Sequence, residues 1–415
     1  MKLLWLSHFI PYPPRGGSRQ RSFSLIRHIS AKHGTHLVAL NMQGESPGRA
    51  AEYADELGRL CASVEIWEPP YRWRGARWWA QLAFSPFYRH PYGCRALWSP
   101  DLARRWEAKL KEHPEALVHF DSIDLALYFP PAAEHRKVLN HQNCESAMAE
   151  RRAENEPNPL KQFYLRSQSR KLRRLEETLC HQFEVNLTVS ELDKQTLLER
   201  NPRAHCHIVE NGTDTDYFHP VDLPVEPNTL VFAGGLSWYP NVSGIQFFLR
   251  EIWPILKQKS PGIRLYLAGR TPAAAIRQLA EGDPAITLVP DPEDIRPWVW
   301  KAAVFVCPII DGGGTRLKIL DALAMGKAVV STTIGCEGLE VKPGEHVLVA
   351  DTPQNFAGHV LLALQDEALR KQLGTNGRAV VEQLYSWETI SRHLECAYSC
   401  ALDRGGCGRQ VKKCV

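Results

Sequence analysis

The sequence predicts an α/β protein made of two doubly wound parallel-sheet domains that face a central cleft. Two observations carry this expectation. Short, strongly apolar segments alternate with longer segments of helical periodicity, the pattern of strand–helix–strand units. The alternation also runs twice, restarting near residues 203–212. A length of 415 residues accommodates two such domains and buries a large core without disulfides or a structural metal.

The first series opens at Leu3–Phe9, a buried strand, followed by the Pro/Gly-rich loop PYPPRGGS. Arg19–Ser30 is helical, with Phe23, Ile26 and Ile29 near one face, and Thr35–Leu40 is the next strand. Glu115–Phe120 and Lys137–Asn140 are short strands. Residues 145–182 form a long, charged helix pair interrupted near Pro157 and Pro159. Val185–Val189 is a strand, and Glu191–Glu199 a helix opened by Ser190 as N-cap. The second series has strands at Thr229–Ala233, Arg264–Ala268, Ile286–Val289, Ala303–Ile310 and Ala328–Thr332. Its helices are Val242–Ile252, Ala273–Ala280 and Thr315–Met325, the last ended by Gly326. Ala303–Ile310 is nearly all apolar and is expected at the centre of its sheet. These elements imply Rossmann-like domains at 1–205 and 206–384, then a helix over 385–402. The tail, 403–415, is basic and Gly-rich and is expected to be disordered.

Bulk composition excludes several classes. Lys plus Arg number 50 against 46 Asp plus Glu, a net charge of +4, too mild to argue for nucleic acid. Eleven scattered cysteines fit reduced thiols better than a secreted disulfide framework. The opening MKLLWLSHFI is too short an apolar run for a signal peptide and is followed by Pro11, Pro13 and Pro14. No apolar run approaches the ~20 residues that span a bilayer. A cytoplasmic chain, at most peripheral on the inner face of the plasma membrane, is expected.

The segment AVFVCPIIDGGGTRLKILDALAMGKAVVSTTIGCEGL, residues 303–339, carries the strongest chemical signal. A buried strand runs into Gly312, Gly313 and Gly314, and a helix begins at about Thr315. Glycines admit close backbone approach, and a helix N-terminus offers unpaired N–H groups and a positive dipole end. Arg316 and Lys318 add two positive charges in the first turn, which oppose the dipole unless an anion is present. Together these features predict a phosphate or diphosphate site. A tight strand-to-helix turn with solvated basic residues is the plainer alternative. Neither a Walker A loop nor the Gly-x-Gly-x-x-Gly fingerprint of a first strand is present.

This segment resembles the donor-site signature of family-4 retaining glycosyltransferases of the GT-B fold. That signature is a Glu, seven residues, then a second Glu followed by Ala-x-Ala-x-Gly-x-Pro-Val-Val. Asp321, in DALAMGKAVV, stands at the second Glu, and Gly313 at the first. The resemblance implies that Asp321 holds the ribose hydroxyls. Asp311 is a candidate to supply the missing carboxylate by another path. The form GGGTRLKILDALAMGK and the following GCEGL look most similar to sugar transferases of bacterial exopolysaccharide and exosortase (PEP-CTERM) systems. ENGTDTDYF, 210–218, resembles the family's Asn-Gly-Val-Asp-x-x-x-Phe turn at the entry to the second domain. Asp214 and Asp216 also mimic an Asp-x-Asp metal motif, but a GT-B enzyme needs no metal, and neither metal nor cofactor is expected.

VFAGGLSWYPN, 231–241, is similar to the family's Phe-x-Gly-Arg-Leu-x-x-x-Lys-Gly stretch, whose Arg and Lys bind the donor diphosphate. Gly234 keeps the Gly, whereas Gly235 replaces the Arg and Asn241 the Lys. The resemblance therefore implies a donor site of Gly234, Gly235, Asn241, Gly313, Gly314, Thr315, Arg316, Lys318 and Asp321. Arg316 and Lys318 are expected to replace the lost charge. In PPRGGSRQR the family's Gly-Gly loop falls on Gly16 and Gly17, near the diphosphate.

His119 and Asp121, in HFDS, end a strand and are candidates to orient the acceptor or take its proton; a structural histidine is the alternative. His141, Asn143 and Glu145, in NHQNCES, are candidate acceptor contacts. Residues 71–98 mix Arg with Trp, Tyr and Phe, which suits either a flap packed on the first domain or a membrane surface or lipid-linked acceptor. The closing YSWETISRHLECAY resembles the family's helix that crosses back to the first domain. The expected activity is metal-independent transfer of a sugar, with retention, from a UDP- or GDP-linked donor to a glycan or lipid-linked acceptor in exopolysaccharide or cell-surface glycan synthesis. The alternatives are a sugar-nucleotide epimerase of similar fold and an inactive sugar-nucleotide-binding scaffold.

Overall fold

A computed structural model describes residues 1–69, 75–129, 135–312 and 315–403. The expected disorder of the tail falls almost wholly beyond residue 403, outside the described residues. The chain separates into two compact units, one comprising Met1–Glu210 with the residues from Ile390 on, the other Asn211–Thr389.

The first unit holds seven parallel strands: β1 (Lys2–Ser7), β2 (Gly34–Leu40), β3 (Ser63–Trp67), β4 (Leu117–Phe120), β5 (Lys137–Asn140), β6 (Val185–Thr188) and β7 (Cys206–Ile208). Their order is β3-β2-β1-β4-β5-β6-β7. β1, β4, β5 and β6 are almost completely buried, because helices cover both faces of a parallel sheet. β1 ends at Ser7, two residues before the expected limit, where the Ser7 hydroxyl donates to the Phe9 carbonyl and turns the chain off the sheet. Helices Glu145–Glu154 and Pro159–Leu179 are the expected charged pair, and the Asn158 side chain caps the second through the Leu160 and Lys161 N–H groups. The Ser190 hydroxyl accepts from the Asp193 N–H and opens helix Glu191–Arg200.

The second unit holds six parallel strands: β8 (Glu226–Ala233), β9 (Arg264–Gly269), β10 (Ile286–Pro290), β11 (Ala302–Cys307), β12 (Ala328–Ser331) and β13 (Leu348–Val349), in the order β10-β9-β8-β11-β12-β13. β11 is buried at every position and lies inside the sheet beside β8, as its apolar run predicts. It ends at Cys307, three residues short of the expected Ile310, which is 40% exposed. Leu230, Phe232, Phe305, Leu320 and Phe356 belong to one large apolar core of this unit.

Strand order reverses between β1 and β4 in one unit and between β8 and β11 in the other. At such a switch point adjacent connections leave in opposite directions and open a crevice at the strands' carboxyl ends. Gly16, Gly17, His119 and Asp121 follow or end the strands at the first of these places, and Gly234, Gly235 and Asp311 follow those at the second, whereas His141, Asn143 and Glu145 follow β5. Among the described residues, no helix is long and apolar enough to cross a membrane, and all nine described cysteines are free thiols.

Candidate functional site

In the second unit the chain leaves β11 and turns at Asp311 and Gly312. Asp311 is buried, and its Oδ1 accepts the Gly312 N–H at 2.5 Å. Gly312 has φ 99°, and a Cβ there would stand 2.8 Å from Pro240 Cγ, so the turn requires glycine. Gly313 and Gly314, both predicted donor contacts, lie outside the described residues. Helix Leu317–Ala324 follows, two residues later than expected, because Arg316 has ψ 81° and takes the N-cap position instead of the first turn. Among the described residues no side chain caps this helix, and its first turn holds no acidic residue, which leaves its N-terminal N–H groups without a carboxylate from that turn. The Thr315 hydroxyl is buried without a hydrogen-bond partner among the described residues. The buried Arg316 guanidinium donates from Nη2 to the Asp311 carbonyl at 3.4 Å.

The β8 turn supplies the facing groups. Gly234 has φ 153°, and a Cβ there would stand 3.2 Å from Lys318 Cε and 3.5 Å from Asn241 Nδ2. Gly269 lies behind it, where a Cβ would fall 1.6 Å from the Gly234 carbonyl oxygen. Gly235 is open, with nothing nearer than Trp238 Cβ at 3.9 Å. Asn241 is buried at the start of helix Tyr239–Phe247; its Nδ2 donates to the Gly235 carbonyl at 2.6 Å, and its Oδ1 accepts from Lys318 Nζ at 2.9 Å. The Lys318 ammonium also lies 5.7 Å above the centre of the Phe232 ring. Burial pushes its pKa below the ordinary value, and Arg316 acts in the same direction, against opposing contributions from Cys307 and Asp321. Two cations thus meet beside a helix N-terminus, an electrostatic arrangement that an anion completes.

Asp321 lies one turn further along the helix, and its Oδ1 accepts the Thr213 hydroxyl at 2.6 Å. Thr213 is fully buried and its N–H donates to the Tyr385 carbonyl at 2.8 Å. The ENGTDTDYF turn is therefore tied to the helix that bears the ribose-binding candidate. Gly212 permits this approach: a Cβ would lie 2.8 Å from the Tyr385 carbonyl oxygen. The Asp214 carboxylate accepts the N–H groups of Asp216 and Tyr217 and closes the turn on itself.

In the first unit the candidates divide between two polar clusters. His119 and Asp121 are fully buried at the end of β4. The His119 ring stacks on Trp5 at 3.6 Å between centroids, and its Nδ1 is 2.8 Å from the Tyr398 hydroxyl. Its Nε2 stands 4.0 Å from Asp121 Oδ1. Burial holds the imidazole well below its ordinary pKa, and the nearby Arg21 adds to the effect. Asp121 accepts the hydroxyls of Ser22 at 2.7 Å and Ser7 at 3.1 Å, and the Asn140 amide at 2.9 Å. Burial pushes its carboxyl up to about 6 despite these bonds. Arg21 donates to the Asn140 amide oxygen at 3.2 Å and to the carbonyls of Val209 and Glu210 at 2.8 and 2.7 Å. The network joins the first helix to β1, β4, β5 and the end of β7.

His141 begins the second cluster; its Nε2 is 3.1 Å from Asn186 Oδ1. Asn143 and Glu145 are half-buried and joined by a side-chain hydrogen bond. Burial, with Asp124 and Glu176 nearby, pushes the Glu145 carboxyl up to about 8. Gly16 has φ 97° and precedes helix Gly17–Ser30; it and Gly17 are exposed. Arg21, Ser22, Thr213 and Tyr398 are the participants that sequence reasoning missed. Each lies inside or beside a quoted motif, but hydrogen bonding between distant segments leaves no periodic trace.

Comparison with known proteins bears on both units. Residues 227–366 match the family model described as Glycosyl transferases group 1. An "Uncharacterized 44.6 kDa protein in cps region" of Klebsiella pneumoniae is 27% identical over 168 residues, 39% of this chain and 43% of that protein. The chain thus spans less than half the length of this curated relative. Sucrose-phosphate synthase from Thermosynechococcus elongatus superposes with TM-score 0.70 at 15% identity, over 96% of this chain and 98% of the other. Anabaena Alr3699/HepE, solved in complex with UDP-glucose, gives TM-score 0.67 at 13% identity, over 96% and 99%. These likenesses show the fold: two parallel-sheet, Rossmann-like units of GT-B type.

Proposed function

We propose that this protein is a retaining glycosyltransferase that moves a sugar from a nucleotide-diphosphate donor to a glycan or lipid-linked acceptor. The observation that carries the reading is the paired placement of Lys318 against Asn241 and Arg316 against Asp311, beside an uncapped helix N-terminus. The match of residues 227–366 to group 1 glycosyl transferases falls on this unit, and a neighbour of the same fold was solved with UDP-glucose. A relative from a cps region favours polysaccharide synthesis as the setting.

In this reading the donor diphosphate lies against the turns after β8 and β11, with UDP or GDP as its nucleoside part. Asp321, steadied by Thr213, takes the ribose hydroxyls. Lys318, Arg316 and the N–H groups of the Gly314–Thr315 turn stabilise the charge that develops as the nucleoside diphosphate departs. The acceptor binds to the first unit, where His141, Asn143 and Glu145 are its assigned contacts and His119 and Asp121 hold the ends of β4 and β5. Retention follows same-face attack by the acceptor. The enzyme works in the cytoplasm, with peripheral membrane contact through residues 71–98.

Binding of a panel of UDP- and GDP-sugars, without added metal, to wild type and to Arg316→Ala tests this. Selective binding by wild type, weakened in the variant, is expected. Absence of binding to every member of the panel would end the transferase reading. Conversion of a bound donor to its epimer without acceptor would replace it with an epimerase.

A further inference from the structure

Two basic segments far apart in the chain meet on the first unit. No acidic residue occurs between Glu68 and Asp101, a stretch with five arginines. None occurs between Glu156 and Glu176, which holds six lysines and arginines. The first stretch contains helix Ala76–Phe84 and the turn Ser85–Phe87; the second contains most of helix Pro159–Leu179. Ser85 joins them. Its hydroxyl accepts the Gln168 amide at 2.9 Å, its carbonyl accepts Lys171 Nζ at 2.5 Å, and its side chain bonds Tyr164. Tyr92 N–H donates to the other end of the Gln168 amide at 2.8 Å.

Around this buried joint the apolar side chains face solvent. Phe84 and Phe87 flank Ser85 and are 57% and 84% exposed; Leu160 and Phe163 are 80% and 63% exposed. Leu160 continues the row of Tyr164, Gln168 and Lys171 at helical spacing, so it lies on the face that carries the joint. Phe163 heads the neighbouring row of Arg166, Arg170 and Arg174. These three arginines are exposed and have no ion-pair partner among the described residues. Exposed aromatics seldom cluster on a surface without a partner. Two basic stretches without a carboxylate of their own, bordered by Glu156 and Glu177 at the ends of the second helix, select a partner that is both apolar and anionic, which describes a phospholipid surface.

We propose that this joint is a docking surface for an anionic lipid bilayer. Phe84, Phe87, Leu160 and Phe163 enter the headgroup layer, and Arg166, Arg170 and Arg174 meet lipid phosphates. The inference extends the peripheral contact of residues 71–98 to a second helix, and it fixes the headgroup charge that the contact needs. Each basic residue brought to such a surface strengthens binding by roughly fivefold.

Co-sedimentation of the full chain with phosphatidylcholine vesicles, with and without about one-third phosphatidylglycerol, tests the proposal, in the absence of any nucleotide sugar. Binding to the anionic vesicles alone is expected, reduced about tenfold or more in Phe87→Ser/Phe163→Ser and similarly in Arg166→Gln/Arg170→Gln. The Phe pair and the Arg pair are exposed, so circular dichroism and thermal midpoints are expected to match wild type. Three outcomes overturn the proposal: no wild-type binding to anionic vesicles, equal binding by the folded Phe variant, or a self-associated wild type that the Phe variant converts to monomer without any vesicle binding. Binding of a single-stranded oligonucleotide that competes with vesicles and needs the arginines but not the phenylalanines overturns it in favour of nucleic acid. Donor binding measured on the same preparations separates failure here from failure of the transferase reading.

Discussion

Lys318 and Asn241 lie 77 residues apart in the chain and meet at 2.9 Å, ammonium to amide oxygen. The other end of the same amide holds the Gly235 carbonyl, and Gly234 leaves the space that Lys318 Cε occupies. The β8 turn carries neither cation of the pattern it resembles, yet it positions one that arrives from the helix after β11.

Lys318→Ala is expected to weaken nucleotide-sugar binding by roughly 10- to 100-fold, the size of a lost charge-assisted hydrogen bond. Asn241→Leu acts in the same direction but less, because the ammonium keeps its charge and loses only its tether. Titration calorimetry with UDP- and GDP-sugars measures both. Wild-type affinity in Lys318→Ala would remove the lysine from the donor site.

The glycines at and behind the β8 turn differ sharply in what they tolerate. Gly269→Ala places a Cβ 1.6 Å from a backbone oxygen and is expected to cost the second unit about 3 kcal/mol or more. Gly235→Ala meets nothing closer than 3.9 Å and stays within about 0.5 kcal/mol of wild type. Gly235→Arg restores the residue of the resembled pattern in open space and is expected to tighten donor binding by about fivefold. Denaturant midpoints and calorimetry report the three effects. Equal stability of the two alanine variants would contradict the close approach of Gly269.

Thr213→Val keeps the shape of the side chain and removes the donor to Asp321. About 1–2 kcal/mol of stability is expected to be lost, since the Asp321 carboxylate loses the Thr213 hydroxyl as a donor. Thr213→Ser retains the hydroxyl and is expected to recover most of it. Donor affinity should fall in Thr213→Val and not in Thr213→Ser. A matching loss in both variants would place the effect in packing rather than in the hydrogen bond.

Asp121 gives a pH signature. Its carboxyl is raised from 3.8 to about 6 in the folded protein. The native state keeps the proton in that window while the unfolded chain has lost it. The associated stability is fully present below pH 3.8 and is lost as pH rises through 6. Relative to Asp121→Asn, wild type should therefore lose on the order of 2–3 kcal/mol between pH 4 and pH 7. Native-state hydrogen exchange of β4 and β5 amides, compared between the two proteins at each pH, reads the difference. A gap independent of pH would show that Asp121 does not titrate in this range.

Much of the architecture was legible in one dimension because strands buried on both faces are nearly pure apolar runs. β11 and β12 stand out for that reason, and Gly312 and Gly326 punctuate their connection. β3 and β13 carry no such mark: β3 is an edge strand with only Trp67 buried, and β13 is two residues long. The conjunction of glycines, a helix start and two cations after β11 was also legible, since these residues are contiguous in the sequence. What only the tertiary structure decided is which side chains complete one another. Lys318 with Asn241, Thr213 with Asp321, and Asn140 with Arg21 and Asp121 all span long stretches of chain. A buried polar group is stable only when its partner reaches it, and that partner is chosen by the packing of distant strands, not by its neighbours in sequence. Likewise, the two acid-free basic segments are visible as composition, but Ser85 had to be placed on the face of Gln168 and Lys171 before they became one surface.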